Sequence, residues 1–286
     1  MIGRRVNLRR LGAWVGVAIV FLTVAIAIAA PLLTRADPFA QDLAHRLIPP
    51  AWMAAGSSAH PLGTDQLGRD YLARLLYGTR ISLLIGIWTV FTSGVIGVSL
   101  GMLGGFYGGW IDDAVMFAVT CRLAIPVILV ALTVVALVGS SLGVVIGSIG
   151  LLLWDRFAVV ARSLTMQVRR QDYIAAAWSA GCSRTHMLLR ELLPNILPGL
   201  VVVATLEAAL AILLEAALSF LGLGVPPPLP SWGLMIAEGR DYMFFSPWVI
   251  TIPGAALFVL VLGLNLLGEG LPELLGESVE RRSRYR

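Results

Sequence analysis

The side chains of this chain that could do chemistry are few and far apart. Cys121 and Cys182 are 61 positions apart and neither belongs to a Cys-x-x-Cys pair. That spacing suggests no disulfide framework and no metal clamp. His45, His60 and His186 are equally scattered. An embedded enzyme needs a clustered catalytic set, and these three His fall on both sides of the spans derived below. All 21 basic residues are Arg. With no Lys, a Gly-x-x-x-x-Gly-Lys-[Ser/Thr] phosphate loop is ruled out, so ATP chemistry is not expected here and no cofactor is assigned to the chain. What remains is a set of ionisable groups in or beside long apolar runs: Arg122, Asp155, Arg156, Glu207 and Glu215. Such groups are costly in lipid and usually face a cavity or a partner. Glu215, Glu207 and Arg122 are therefore candidates for a transport path or a contact with a second membrane subunit. The competing reading is structural pairing of the acids with Arg, or placement near the outer membrane interface.

The elements that must position them are membrane helices. The chain of 286 residues is 58% hydrophobic and 13% charged, against roughly 45–50% and about 25% in a soluble domain. Disorder and a soluble nucleic-acid binder are excluded; the surrounding partner is lipid. A spanning helix needs about 20 apolar residues. The uncharged runs predict six spans near 11–33, 82–105, 114–138, 143–163, 197–221 and 247–268, with a small-residue turn at Gly139–Gly143. The first span follows Arg4, Arg5, Arg9 and Arg10, as a signal peptide would. Its apolar run exceeds a signal core, so it reads as a retained anchor.

Positive charge sets orientation. With the N-terminus in the cytoplasm, Arg4, Arg5, Arg9, Arg10, Arg162, Arg169, Arg170, Arg184, Arg190, Arg281, Arg282, Arg284 and Arg286 lie inside, against Arg35, Arg46, Arg69, Arg74, Arg80 and Arg240 outside. Both termini are then cytoplasmic in a multi-pass protein of the cell (plasma or inner) membrane. The chain divides into 1–80 (tail, first span, external segment), 81–270 (a five-helix domain with loop 162–198) and 271–286 (a cytoplasmic tail).

Two connections stand out. Residues 34–80 end in a predicted short surface helix, capped by Thr64 or Asp65, with an Asp70–Arg74 pair at i, i+4 and a stop at Gly78. In loop 162–198, Asp172, Tyr173, Ala176 and Ala177 belong to a helix-forming run that ends at Gly181. Ser183 then caps a second helix, Arg184 to Leu193, carrying Arg190 and stopped by Pro194. Small Ala side chains let another protein approach the backbone closely. A bare helical hairpin would have the same sequence. Ser93, Gly97, Gly101 and Gly105 form a small-residue stripe on span two, read as close packing rather than a hinge. The stiff stretch Pro226–Pro230 with Ser231-Trp232-Gly233 is read as an external loop that docks a partner or seals the outer mouth.

Loop 162–198 resembles the "EAA" loop of ABC-importer permeases through Ala176, Ala177, Gly181, Leu193 and Pro194. Four more stretches are similar to the dipeptide/oligopeptide ABC permease family, C-type subunit: Asp37 to Leu43, His60 to Asp70 continuing through Tyr77 to Ser82, Glu215 to Pro228, and Pro230 to Ile236. Two positions depart from the pattern. The loop acid is Ala175 here, and the span-three Asp of relatives is Thr120. The resemblance implies the all-α type I ABC-importer fold. It also implies a second homologous permease, two cytoplasmic ATPase subunits carrying ATP and Mg, and an external substrate-binding protein. Substrates would be di- or oligopeptides, with nickel, glutathione or oligosaccharide as the alternative in the same family. A stand-alone secondary transporter is the alternative of another class.

Overall fold

The structure is a computed structural model describing residues 2–283, with side chains described from 10 to 273. The side chains of Arg4, Arg5, Arg9, Arg281, Arg282, Arg284 and Arg286 lie outside that range. The described residues are helical with no strand beyond an isolated bridge, Thr64 to Asp70. In chain order the helices are α1 (Ile2–Leu33), α2 (Tyr71–Tyr107), α3 (Gly109–Leu123), α4 (Val127–Val138), α5 (Leu142–Gly150), α6 (Trp154–Arg169), α7 (Asp172–Ser179), α8 (Arg184–His186), α9 (Leu193–Phe220), α10 (Trp232–Gly239) and α11 (Trp248–Ser283). Five segments are long and apolar enough to cross a membrane. They become six if the bent pair α3–α4 is one span.

That pair corrects the straight third span expected over 114–138. The two helices meet at 80° across Ala124–Pro126. Pro126 has no N–H to donate and disfavours helical backbone at Ile125, so the helix cannot run through. The small-residue turn is where it was expected. Gly139 takes φ +100°, and Ser141 accepts from Val144 N–H to start α5. The fourth span contains a break at Leu151–Leu153 between α5 and α6.

Close backbone approach organises the bundle. The α2 stripe packs along α6. A Cβ at Gly97 would lie 2.2 Å from Trp154 O, one at Gly101 2.2 Å from Ala158 O, and one at Gly105 2.7 Å from Arg162 O. Only hydrogen fits at those positions, so the stripe is a packing seam, as read. A second seam joins α1 to α11. There a Cβ at Gly16 would meet Leu267 N at 2.5 Å, and one at Gly263 would meet Ile19 Cγ2 at 2.5 Å.

The surface helix predicted before span two is absent. Asp70 is the N-cap, accepting from Ala73 N–H at 2.8 Å, and α2 runs unbroken through Gly78 to Tyr107. Gly78 serves contact instead of termination: its Cβ would lie 3.1 Å from Trp232 Cδ1. Trp232 in turn donates from Nε1 to Leu75 O at 3.1 Å, and its backbone N–H donates to Ser82 Oγ at 3.2 Å. Residues 34–70, α10 and the start of α11 thus share one pole. The start of α1, the end of α2 and α7 occupy the other.

Candidate functional site

The α7 pole holds the loop singled out in the sequence. Its helix begins later than 162, because α6 carries Arg162 to Arg169. Arg162 is committed to a bidentate ion pair with Asp112 of α3, one arm of it Nη2 to Oδ2 at 2.5 Å. From Arg170 the chain turns and α7 forms, with Asp172 in the first turn, where the helix dipole favours an acid. α7 buries a single residue, Ile174, against Phe106, Met187 and Leu192. Ala177 is half-buried; Asp172, Tyr173, Ala176 and Trp178 are exposed. Burial and the carboxylate of Glu191 raise the Tyr173 phenol above its ordinary value, so it is neutral near pH 7.

Gly181 takes φ +79° with open space around its α-carbon. Its requirement is conformational and not steric: L side chains rarely adopt that backbone. Ser183 then accepts from His186 N–H at 3.2 Å and starts α8. The second helix does not stop at Pro194, contrary to expectation. It widens into a π-helical turn at Met187–Leu192 and continues as α9. A Pro clashes with the carbonyl four residues before it, and a π-turn makes room while keeping the chain helical. Arg184, Arg190 and Pro194 are exposed along this rod.

Between α7 and the body lies an open groove of about 530 Å³ lined by Phe106, Tyr107, Arg169, Ile174, Ala175, Trp178, Ser179, Arg184 and Met187. Arg169 stacks over Phe106 at 5.8 Å and Arg184 over Tyr107 at 5.7 Å. Trp178 meets Phe106 at 6.4 Å between centroids. Sequence reasoning missed Phe106, Tyr107 and Trp178. The available signal was an aromatic pair at the end of span two, next to a loop rich in Arg.

The three buried-charge candidates are not brought together. Arg122 Nε donates to Leu152 O, and its Nη1 donates to Asp155 Oδ2 at 3.3 Å. It therefore caps the carbonyl freed at the α5–α6 break and holds the acid in the first turn of α6, a break that lipid could not satisfy. Glu207 is 1% exposed and lies 3.1 Å from Arg156 Nη1, close in distance but not aligned as a hydrogen bond. Glu215, also 1% exposed, accepts on Oε1 from Ser219 at 2.7 Å and Ser231 at 2.9 Å. Its other oxygen faces Gly233, where a Cβ would approach to 2.9 Å, and has no hydrogen-bond donor. Arg122 and Glu207 thus each lie beside an opposite charge, while Glu215 ties the end of α9 to the start of α10.

The opposite pole contains a charge cluster that the sequence reading paired wrongly. Asp70 does not bind Arg74; its carboxylate caps α2 and meets His60 Nδ1 at 2.8 Å. Arg74 instead pairs with Asp65, and its Nη2 lies 2.9 Å from Glu238 Oε2 without hydrogen-bond alignment. Asp65 also accepts from Leu67 N–H at 2.8 Å, Arg69 N–H at 3.0 Å and Arg69 Nε at 2.6 Å. Arg69 reaches Glu238 at 3.1 Å. This buried network fastens the external segment to α2 and α10.

Comparison with known proteins shows the family and the fold. The family described as "binding-protein-dependent transport system inner membrane component" matches residues 97–281, and the "N-terminal TM domain of oligopeptide transport permease C" matches 8–50. A dipeptide transport system permease protein of Haemophilus influenzae is 36% identical over 270 residues, covering 94% of this chain and 92% of that protein. A di/tripeptide transport system permease protein of Pseudomonas aeruginosa is 39% identical over 264 residues, covering 92% and 87%. A glutathione transport system permease protein of Pectobacterium atrosepticum is 42% identical over 219 residues, covering 77% and 73%. A chain of the inward-facing MetNI methionine ABC transporter superposes with a TM-score of 0.56 at 20% identity, over 68% of this chain and 93% of that one, which shows a shared fold. With its all-helical bundle, its α7–Gly181 loop and these relatives, the chain belongs to the inner-membrane permeases of binding-protein-dependent ABC transport systems, in the branch of the C-type peptide permeases.

Proposed function

We propose that this chain is one half of the translocation path of an ATP-driven importer for di- and oligopeptides. Both termini and α7 face the cytoplasm. A second, homologous permease completes the path, two ATPase subunits carry ATP and Mg, and an external binding protein delivers substrate at the pole of residues 34–70. The chain itself performs no catalysis. The carrying observation is α7: eight residues that bury only Ile174 and leave Asp172, Tyr173, Ala176 and Trp178 open beside a groove. A finished helix would hide more of its surface; this one is shaped to receive another protein. Ala177 and Gly181 set its seat and bend, and Ser183, Arg184, Arg190 and Pro194 form the following arm of the same contact.

In this reading nucleotide binding closes the ATPase pair and draws the two α7 loops together. The permeases then rock between two rigid-body states that nucleotide biases. The peptide substrate is supported by the names of the Haemophilus and Pseudomonas relatives. Glutathione, itself a tripeptide, is the second reading, favoured by the Pectobacterium relative. The test is uptake by proteoliposomes holding this chain with its co-encoded subunits. Labelled dipeptide should accumulate only with ATP and binding protein, and unlabelled di- and tripeptides should compete better than glutathione. Uptake driven by an ion gradient without the ATPase would overturn the reading in favour of a secondary transporter.

A further inference from the structure

A groove lies between α1 and α2, on a face where Ile28, Ile87 and Trp88 are exposed. Its walls are Val24, Ala27 and Ile28 of α1 and Leu83, Leu84 and Ile87 of α2, with Trp88 at one end and Arg80 at the other, enclosing about 430 Å³. Every one of these side chains except Arg80 is apolar. Arg80 is the last charge before the uncharged run that begins at Ile81. From Arg80 to Tyr107 the helix rises about 40 Å, at about 1.5 Å per residue, against a hydrocarbon core of about 30 Å. That excess length lets Arg80, the charge that ends the apolar run, stand at headgroup depth with the groove running along the acyl region.

Arg80 differs from Arg69 and Arg74 of that pole. Arg69 and Arg74 are buried in the Asp65–Glu238 network. Arg80 is exposed, and its recorded contact is with the face of Tyr77, 5.9 Å from the ring centroid. Among the described residues no carboxylate lies within ion-pair reach of it. A guanidinium offers five donors suited to two oxygens of a phosphate, and aromatic stacking leaves its edge free to bind. An unpaired cation at the head of an apolar trough matches a ligand with an anionic head and an alkyl tail.

We propose that this groove binds one anionic phospholipid, its phosphate on Arg80 and an acyl chain along Ala27, Ile28, Leu84 and Ile87 toward Trp88. The inference does not rest on the peptide-importer reading; it needs only that α1 and α2 face lipid. The bound lipid fills the α1–α2 groove and holds α1, whose other side is fixed to α11 through Gly16 and Gly263.

The test uses the full-length chain, delipidated in detergent and titrated with phosphatidylglycerol or phosphatidylcholine under native mass spectrometry. Phosphatidylglycerol should bind at least about five-fold more tightly, the scale of one Arg acting on an anionic headgroup. Arg80→Gln should abolish that preference and Arg80→Lys should keep most of it. Ala27→Trp, which fills the trough and leaves Arg80 in place, should weaken both lipids. Equal binding of the two lipids, or a preference that survives Arg80→Gln, would overturn the proposal. So would a loss of the second permease from Arg80→Gln preparations with lipid binding unchanged, which would make this face a protein interface.

Discussion

The two poles of the molecule are built on opposite plans. At the pole of residues 34–70, Asp65, Arg69 and Arg74 are each no more than 2% exposed and are bound to one another and to Glu238. The segment has little secondary structure, yet Thr64 Oγ donates to His45 O at 2.6 Å and accepts from Ile48 N–H at 2.8 Å, so its backbone is tied across the segment. At the α7 pole the elements are regular helices, but they are lightly held: one buried residue in α7, a left-handed Gly181 with nothing around it, and a groove with an exposed Trp178 on its wall. Regularity and rigidity are thus separate properties. The irregular pole is tied together by buried charges, and the regular one leaves the surface of α7 exposed, where the proposed partner would dock.

The largest expected effect breaks the first pole. Asp65→Ala leaves two buried guanidinium groups without their shared acceptor, a loss of about 3–5 kcal/mol. The thermal midpoint of the purified chain in detergent should fall steeply. An unchanged midpoint would show that the external segment is not held by this cluster. Next, Gly181→Val forces a β-branched residue to φ +79°, at roughly 1–2 kcal/mol of local strain. Because no atom crowds the site, the cost should reshape the α7–α8 bend with little change in the midpoint, which limited proteolysis of the loop would detect. Ser183→Ala removes the α8 cap and should cost about 1 kcal/mol or less, read as faster amide exchange at Arg184–His186.

The smallest effect is a pH dependence at the external pole. Hydrogen bonding to His45 holds the Asp42 carboxyl below its ordinary value. A depressed carboxylate stabilises the fold above the unfolded value of about 4 and loses that contribution as pH falls through the lower folded value. Asp42 is exposed, so Asp42→Asn should leave the midpoint at neutral pH unchanged and flatten only the acid limb of a midpoint-against-pH curve. A large neutral-pH shift would mean that this pair is part of the clamp.

Sequence reasoning was strongest where pattern is local. Span positions, the Gly139–Gly143 turn, the α2 packing stripe and the Ala-rich loop ending at Gly181 all follow from neighbouring residues. It failed where partners lie far apart in sequence. Arg74 was given to Asp70 by helical spacing, but Asp65 is tied into a turn by the Leu67 and Arg69 amides and so reaches Arg74 first. Pro194 was read as a stop because the π-turn that absorbs it has no signature in composition. The α5–α6 break, whose Leu152 O is bound by Arg122 thirty residues away, was not foreseen either. Phe106 and Trp178 are 72 residues apart, and only the packing of α2, α6 and α7 makes them one groove.

The contrast between a closed pole and an open one is tested most directly at Ala176, an exposed residue whose small side chain plays no part in the fold. Ala176→Arg adds bulk and charge to the surface of α7 without touching the core. The measurement is co-purification of the co-encoded ATPase with the full chain, alongside its thermal midpoint. The account predicts that the ATPase is lost while the midpoint stays within about 0.5 kcal/mol of the parent, as for other surface changes. Retention of the ATPase at parental levels would contradict it, because α7 would then be an ordinary surface hairpin and not the place where the motor docks.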